Sequence, residues 1–236
     1  MIIGLVIAAG KQSRFQQQKP KCLSLINNKC ILDTTIENMS HICDEVLVVC
    51  SKECESYFIN YKHISIESGL GSGDAIYKAI NYIIDNYNIT SNDYVIIQWG
   101  DALVNKELYS VLEFLPDRCA IPCTIEESPY VQLVEFEDTI SVKFSKYNDV
   151  ITPGYHDMCV FSSNISYLAN YLAQFFIKYF SVDHYNHRHG NEFEFLDVFN
   201  DTDCKAKIIY VDSSLSTKSF NTVKELESLG GTVDGK

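Results

Sequence analysis

The sequence has no Cys-x-x-Cys pair, no apolar run long enough for a membrane span and no basic stretch before its apolar amino end. The nearest cysteine pairs, Cys50/Cys54 and Cys119/Cys123, have three residues between them, which supports a zinc site only weakly. We therefore expect reduced, buried thiols. Because a membrane helix needs about 20 apolar residues and a signal peptide needs a basic flank, we expect a cytoplasmic protein with no membrane partner.

Basic residues are scarce overall, yet they are concentrated at the amino end. The chain has 31 Asp and Glu against 19 Lys and Arg, a net charge of -12 at pH 7. This balance argues against nucleic acid as a partner. However, no acidic residue precedes Asp33, whereas five basic residues do. The local electrostatic field is therefore positive, and the ligand that best fits it is a polyphosphate.

Length and composition indicate one large globular domain. The 236 residues are 46% hydrophobic and 21% charged, which is an ordinary globular balance. We expect a single domain over 1–229, followed by a flexible tail over 230–236 whose composition is that of a chain terminus.

Strand and helix patterns alternate in the first third of the chain. Apolar strands are predicted over Ile2–Ala8, Glu45–Cys50 and Ile64–Glu67, with helices over Ile31–Ile42 and Glu53–Tyr61 between them. This order predicts a parallel sheet with right-handed crossovers.

The first strand breaks into a loop of small residues that is followed by basic ones. Small side chains let the backbone approach a ligand closely, and the basic side chains can neutralise phosphate. The candidate phosphate-binding residues are Ala8, Ala9, Gly10, Lys11, Arg14 and Lys21.

This segment also resembles a known family motif. Ala8-Ala9-Gly10-x-x-Ser13-Arg14-Phe15, followed by Pro20-Lys21-x-Leu23, is similar to the signature loop of the nucleotidyltransferase (NTP-transferase, pyrophosphorylase) superfamily. Gln12 stands where that family usually has a second glycine. The resemblance implies a Rossmann-like three-layer α/β/α fold with a mostly parallel sheet, closest to the uridylyltransferase and cytidylyltransferase type. It further implies that Arg14 and Lys11 contact the β- and γ-phosphates of an NTP and that Lys21 contacts the α-phosphate, with Arg14 and Lys21 catalytic.

A glycine-rich turn precedes the next predicted helix. Leu70-Gly71-Ser72-Gly73-Asp74-Ala75 resembles the L-G-T-G-H-A segment of N-acetylglucosamine-1-phosphate uridylyltransferases, with Asp74 in place of His. That resemblance implies that Gly71, Ser72 and Gly73 hold the base and ribose. A glycine turn before a helix is also common without any ligand, so both interpretations stay open.

Two polar residues are candidate ligands for Mg2+. Asp101 ends an apolar strand, and ligands collect at the carboxyl ends of parallel strands. It matches the family's Gly-Asp, whose carboxylate binds Mg2+. Asn221 matches the family's second metal ligand, although it could also serve as the N-cap of the last helix.

The acceptor region is less clearly marked. The stretch from His184 to Gly190 lacks the spacing and the acidic partner of a metal trio, so we expect a flexible loop over the substrate pocket. Residues 191–197 resemble the family's G-E-Y-Y-L-T-D segment, a helix start beside the acceptor pocket. They are equally consistent with a simple acidic helix N-terminus, so both interpretations stay open. Gly154, Arg188 and Glu192 are the candidate acceptor contacts.

Together these features predict a Mg2+-dependent nucleotidyltransferase. Its partners would be an NTP, UTP or CTP, and a phosphorylated small molecule. The first choice of acceptor is a sugar-1-phosphate, and the second is a phosphorylated polyol, alcohol or amine for a surface polysaccharide or lipid. A catalytically silent nucleotide-binding regulatory subunit stays open, as does the choice between a monomer and a homo-oligomer. A related glycosyltransferase would need an Asp-x-Asp motif and a dehydrogenase a G-x-G-x-x-G loop, and the sequence has neither at the required place.

Overall fold

The computed structural model describes residues 1–10, 14–67, 69–136, 139–144, 153–181, 184–187, 191–215 and 217–233. The strands are β1 (Ile2–Ile7), β2 (Leu25–Ile26), β3 (Lys29–Cys30), β4 (Glu45–Ser51), β5 (His63–Ile66), β6 (Tyr94–Trp99), β7 (Ala102–Leu103), β8 (Cys119–Glu126), β9 (Val131–Phe136), β10 (Thr139–Phe144), β11 (Gly154–Asp157), β12 (Val160–Asn164), β13 (Phe180–Ser181), β14 (His184–Tyr185), β15 (Ala206–Tyr210), β16 (Lys218–Ser219) and β17 (Gly231–Thr232). The α-helices are α1 (Ile31–Met39), α2 (Ser72–Asn86), α3 (Ile165–Tyr179), α4 (Val198–Asp201) and α5 (Val223–Ser228). Short 3-10 helices cover Lys21–Leu23, Lys52–Tyr57, Lys106–Val111, Phe195–Asp197 and Ser213–Leu215.

A mixed ten-stranded sheet forms the centre of the molecule. Its order is β10-β9-β11-β8-β12-β6-β1-β4-β5, and β15 pairs in parallel with β8. The strands β5, β4, β1 and β6 are mutually parallel, as the alternating sequence pattern predicts. The strand β12 is antiparallel to both β6 and β8, so β1, β6 and β8 point the same way. Their carboxyl ends therefore meet at one edge of the sheet.

Helices cover both faces of the sheet. In β1, Ile3 and Leu5 contribute to the core cluster that contains α2 and α3, whereas Val6 belongs to the cluster that contains α1 and the 3-10 helix at Lys106–Val111. This alternation is the period of two expected for a strand buried on both faces. The predicted three-layer α/β/α architecture is thus confirmed.

The helix α2 forms because its buried face follows helical spacing. Ile76, Ile80 and Ile83 are fully buried, and each contributes about 1.5–3 kcal/mol relative to an exposed side chain. Asp74, in the first turn, is also fully buried and forms an ion pair with Lys78 at 2.7 Å.

The expected flexible tail over 230–236 is wrong for its described part. Gly231 and Thr232 form β17, which pairs with β2, and Gly231 is buried against Leu226. The terminal residues pack against the apolar side chain of Leu226 in a small core. The composition of the segment did not indicate this packing. Residues 234–236 lie outside the described residues.

All nine cysteines are unbridged thiols; seven are buried, as the sequence predicted, whereas Cys30 and Cys54 are half-buried. Among the described residues, none of the helices combines the length and apolar character needed to cross a membrane.

Candidate active site

A cavity of about 930 Å³ opens at the edge of the sheet where β1, β6 and β8 end. The residues that follow these strands line it, together with the turn before α2 and the segment before α5. Ten predicted site residues line this cavity: Ala8, Ala9, Gly10, Arg14, Lys21, Gly71, Ser72, Asp101, Glu192 and Asn221. Residues far apart in the sequence are therefore brought to one place by the parallel half of the sheet.

A lysine and an aspartate are in contact inside this cavity. The Nζ atom of Lys21 lies 2.5 Å from Oδ2 of Asp101 and 3.4 Å from the carbonyl oxygen of Phe220. The two side chains are 15% and 29% exposed, so solvent reaches both. An ammonium group and a carboxylate are thus held together where a ligand can enter.

Close backbone packing fixes the position of Asp101. The N–H of the preceding Gly100 donates to the carbonyl oxygen of Ile7 at 3.0 Å. A Cβ atom at Gly100 would lie 2.9 Å from that oxygen, so only glycine allows this approach. Two residues before Gly100, the side chain of the buried Gln98 donates to the hydroxyl of Thr35 at 3.2 Å and accepts from the hydroxyl of Tyr109. The end of β6 is therefore held rigidly against β1.

The glycine turn before α2 is packed against Phe193. Gly71 has a φ of +114°, and the N–H of Gly73 donates to the carbonyl oxygen of Phe193 at 2.7 Å. A Cβ atom at Gly73 would lie 2.3 Å from the Phe193 ring, and Gly73 does not line the cavity. Packing against Phe193 therefore explains why residue 73 is a glycine. Gly71 and Ser72, by contrast, line the cavity and are available to a ligand. The hydroxyl of Ser72 donates to Glu194 at 3.1 Å.

The basic loop is joined to the carboxyl end of the chain by aromatic packing. Phe15 and Phe220 are buried with their ring centroids 5.8 Å apart. This contact places Asn221 beside the cavity. The N-cap of α5 is Thr222, which forms a capping box with Glu225, so the expectation that Asn221 could be that cap is wrong.

Acidic and aromatic side chains that the sequence did not single out complete the cavity wall. They include Glu126 at the end of β8, Asp157 at the end of β11 and Trp99 at the end of β6. The Oδ1 atom of Asp157 accepts from the backbone N–H of Cys159 at 3.0 Å. Burial raises the pKa of the Cys159 thiol well above its usual value, and the charges of Asp157, Asp101 and Glu126 raise it further. A charged residue beside the apolar Met158-Cys159-Val160 was the available sequence signal for Asp157.

The predicted acceptor contacts are only partly gathered here. Glu192 lines the cavity, whereas Gly154 begins β11 opposite Glu126 and is not among the lining residues. Arg188 and Lys11 lie outside the described residues.

Another acidic group surrounds His187, which the sequence placed in a flexible loop without an acidic partner. That expectation is wrong: His187 is buried, its Nε2 lies 2.7 Å from Asp201 and its Nδ1 lies 3.5 Å from Asp197. The candidate ligand atoms of this trio lie within 4.8 Å of one another. A hydrogen bond between His187 and Asp201 already accounts for their contact, and the neighbouring rings of Phe175 and Tyr179 make it a packed structural element.

Comparison with known proteins supports the family expected from the sequence. The model of the MobA-like NTP transferase domain family matches residues 4–127. Among curated proteins, the bifunctional protein GlmU of Buchnera aphidicola subsp. Baizongia pistaciae is 33% identical over 109 residues. That match covers 43% of this chain and 23% of the relative, so the chain spans about a quarter of the relative's length.

Solved structures share the whole fold at low sequence identity. A putative glucose-1-phosphate thymidylyltransferase from Bacillus anthracis has a TM-score of 0.71 at 10% identity, covering 98% of this chain and 94% of that one. CTP:phosphocholine cytidylyltransferase from Streptococcus pneumoniae has a TM-score of 0.68 at 14% identity, covering 97% of each chain. These likenesses extend the shared fold over the carboxyl half of the chain, which the family model does not reach.

Proposed function

The chain belongs to the MobA-like NTP transferase family and is a nucleotidyltransferase, and we propose that it transfers a nucleoside monophosphate from UTP or CTP to a phosphorylated small molecule. The observation that carries this proposal is the contact between Lys21 and Asp101 inside a cavity that Arg14 also lines. Fixed cations stabilise the phosphates of a triphosphate, and a carboxylate beside them can hold the metal ion that accompanies it.

The reaction joins two anions and needs no proton transfer. An oxygen of the acceptor phosphate attacks the α-phosphorus, a new P–O bond forms, and the bond from the α-phosphorus to the bridging oxygen breaks. Pyrophosphate leaves with the electron pair of that bond. Catalysis therefore consists of positioning and of charge stabilisation. In this scheme Lys21 acts at the α-phosphate and Arg14 at the β- and γ-phosphates.

The residues present fit a magnesium ion. Asp101 offers a carboxylate and Asn221 an amide oxygen, and both line the same cavity. Oxygen ligands of this kind suit Mg2+, which commonly keeps several water molecules and takes one or two protein ligands. When bound, the ion would neutralise charge that builds on the phosphate oxygens.

The nucleotide is proposed to lie along the first loop. A Cβ atom at Gly10 would meet none of the residues that the structure describes within 4 Å, so as far as those residues are concerned the space over this backbone is open to a ligand. Gly71 and Ser72 line the same cavity, and we assign them to the base and ribose.

A matrix of the four NTPs against phosphorylated sugars, polyols and amines, with pyrophosphate release as the readout, tests the proposal. We expect turnover with UTP or CTP that is lost when EDTA removes the divalent ion. Asp101→Asn should abolish turnover, whereas Asp212→Asn, at an exposed position outside the cavity, should not.

Two results would contradict the proposal. Nucleotide binding without pyrophosphate release for every acceptor would favour the silent regulatory alternative. Metal-dependent turnover at the normal rate in Asp101→Asn would remove Asp101 as a metal ligand.

A further inference from the structure

The ammonium group of Lys21 contacts the carboxylate that is proposed to bind the metal ion. Its Nζ atom lies 2.5 Å from Oδ2 of Asp101 and 3.4 Å from the carbonyl oxygen of Phe220, the residue directly before Asn221. Asp101 and Asn221 are the two candidate ligands of the ion, and both line the cavity. A carboxylate and a carbonyl oxygen are donors that a hard cation prefers, and here they contact a cation of the chain itself.

The main chain that carries Lys21 is fixed in place. Lys21 begins the 3-10 helix Lys21–Leu23, and its carbonyl oxygen accepts from the N–H of Ser24 at 3.0 Å. The next residue, Cys22, is buried, and its Cβ atom lies 3.4 Å from the position that a Cβ atom at Gly100 would take. The stem of a lysine side chain is flexible. The ammonium group can therefore leave its partner while the main chain stays where it is.

The ion pair is suited to exchange of partners. The side chains of Lys21 and Asp101 are 15% and 29% exposed, and solvent-accessible pairs of this kind are weak. A cation on the same chain nevertheless has a high effective concentration, so a dissolved divalent ion must displace it in order to bind. A triphosphate offers the ammonium group several anionic oxygens, which form stronger, charge-assisted hydrogen bonds.

We propose that Lys21 blocks the metal site of the free enzyme and that binding of the triphosphate removes the block. This inference rests on the proposed function, in which Lys21 acts at the α-phosphate. When the ammonium group transfers to the phosphate, the carboxylate of Asp101 becomes available to the divalent ion that accompanies the nucleotide. Ion and nucleotide therefore bind with positive coupling, and the coupling is equal in both directions. Divalent ions that arrive without a nucleotide are disfavoured.

Binding of Mn2+ to the nucleotide-free enzyme tests the block directly. Electron paramagnetic resonance measures the free ion and gives Kd without any turnover. Lys21→Met removes the ammonium group and approximately keeps the length of the side chain. We expect Kd for Mn2+ to be about 10-fold lower in Lys21→Met, as it would be if only about 10% of the unsubstituted enzyme had an available carboxylate. Circular dichroism checks that both proteins are folded.

Three further variants separate the block from a general effect of charge. Arg14→Met removes another cation from the same cavity, and among the described residues no ion pair joins Arg14 to Asp101. Its Kd should change by less than about 2-fold, because the charge of an exposed side chain is screened. Lys21→Arg keeps a cation that can pair with the carboxylate and should keep the weak binding. The double variant Lys21→Met/Asp101→Asn should lose the site.

Three results would overturn the inference. The first is a Kd for Mn2+ that is equal in Lys21→Met and in the unsubstituted enzyme. The second is absence of Mn2+ binding to Lys21→Met, because an unblocked site should accept the ion. The third is an equal gain in affinity in Arg14→Met, which would show that the charge of the cavity, and not the contact with Asp101, controls the affinity for the ion.

Crystals soaked with Mn2+ locate the ion. At one Mn2+ concentration and without nucleotide, an anomalous peak is expected at Asp101 in Lys21→Met and not in the unsubstituted enzyme. When CTP or UTP is added, the unsubstituted enzyme should gain this peak, and Nζ of Lys21 should contact the triphosphate. A peak of equal height at Asp101 in the nucleotide-free unsubstituted enzyme would contradict the block.

The outcomes separate this inference from the proposed function. Absence of pyrophosphate release with every acceptor would refute the proposed function, whereas the nucleotide-free Mn2+ titrations would still report whether Lys21 blocks Asp101. An enzyme that releases pyrophosphate and also binds free Mn2+ as tightly as Lys21→Met does would overturn the inference and leave nucleotidyl transfer intact.

Discussion

Replacement of Lys21 by alanine is expected to separate catalysis from folding. The substitution removes an ammonium group that lies 2.5 Å from Asp101, at the position proposed for the α-phosphate. Loss of one group that stabilises developing charge lowers kcat by about 100-fold to 1,000-fold in enzymes. The same ion pair is 15% and 29% exposed, and a solvent-accessible pair contributes about 1 kcal/mol or less to stability. For a domain of this size, that loss lowers Tm by only about 2–4 °C.

Two measurements on the same preparations check this expectation. Pyrophosphate release gives kcat and KM, and thermal unfolding followed by circular dichroism gives Tm. Lys29→Ala is the matched control, because Lys29 is an exposed lysine on β3 outside the cavity. Lys21→Arg retains the charge with a different shape and should recover only part of the rate. A Lys21→Ala rate within about 3-fold of the unsubstituted enzyme would refute the role given to this side chain.

Three further expectations concern the structure that supports the site. Gly73→Ala would place a Cβ atom 2.3 Å from the Phe193 ring and should lower the free energy of unfolding by about 1–3 kcal/mol. Gly10→Ala, whose Cβ atom would meet none of the described residues within 4 Å, should leave Tm almost unchanged, and equal Tm values for the two variants would contradict the packing argument. Gln98→Leu would remove the partner of two buried hydroxyls, those of Thr35 and Tyr109, and of the Ala102 carbonyl, and it should lower the free energy of unfolding in urea by about 2–5 kcal/mol. A neutral result would be inconsistent with the network described. Burial raises the pKa of Cys50 to about 11, so at pH 8 only about 1 in 1,000 of these thiols is ionised, and iodoacetamide should modify Cys50 slowly until urea unfolds the protein, as read by mass spectrometry.

Local patterns were sufficient to predict the parallel half of the fold. Apolar strands, intervening helices and a Gly-Asp at a strand end indicated that the first loop and Asp101 meet at one edge, and the structure brings Lys21 into contact with Asp101. Such a prediction succeeds because each strand-helix-strand unit is short in sequence and its handedness is constrained.

The rest of the cavity depends on pairing between distant segments. Glu126 and Asp157 reach the cavity because β8 and β11 pair in the antiparallel half of the sheet, an order that periodicity does not specify. The role of Gly73 likewise depends on Phe193, far along the chain. By contrast, the capping box Thr222-x-x-Glu225 was readable in the sequence and would have placed the start of α5 correctly.

The most direct test of the account is a crystal structure of the enzyme soaked with CTP or UTP and Mn2+ in place of Mg2+. We expect the triphosphate beside the backbone of Ala9 and Gly10 and the side chain of Lys21, with an anomalous peak for Mn2+ at the carboxylate of Asp101. A nucleotide bound elsewhere, or a metal peak away from Asp101, would contradict the claim that this edge of the sheet is the nucleotidyl-transfer site.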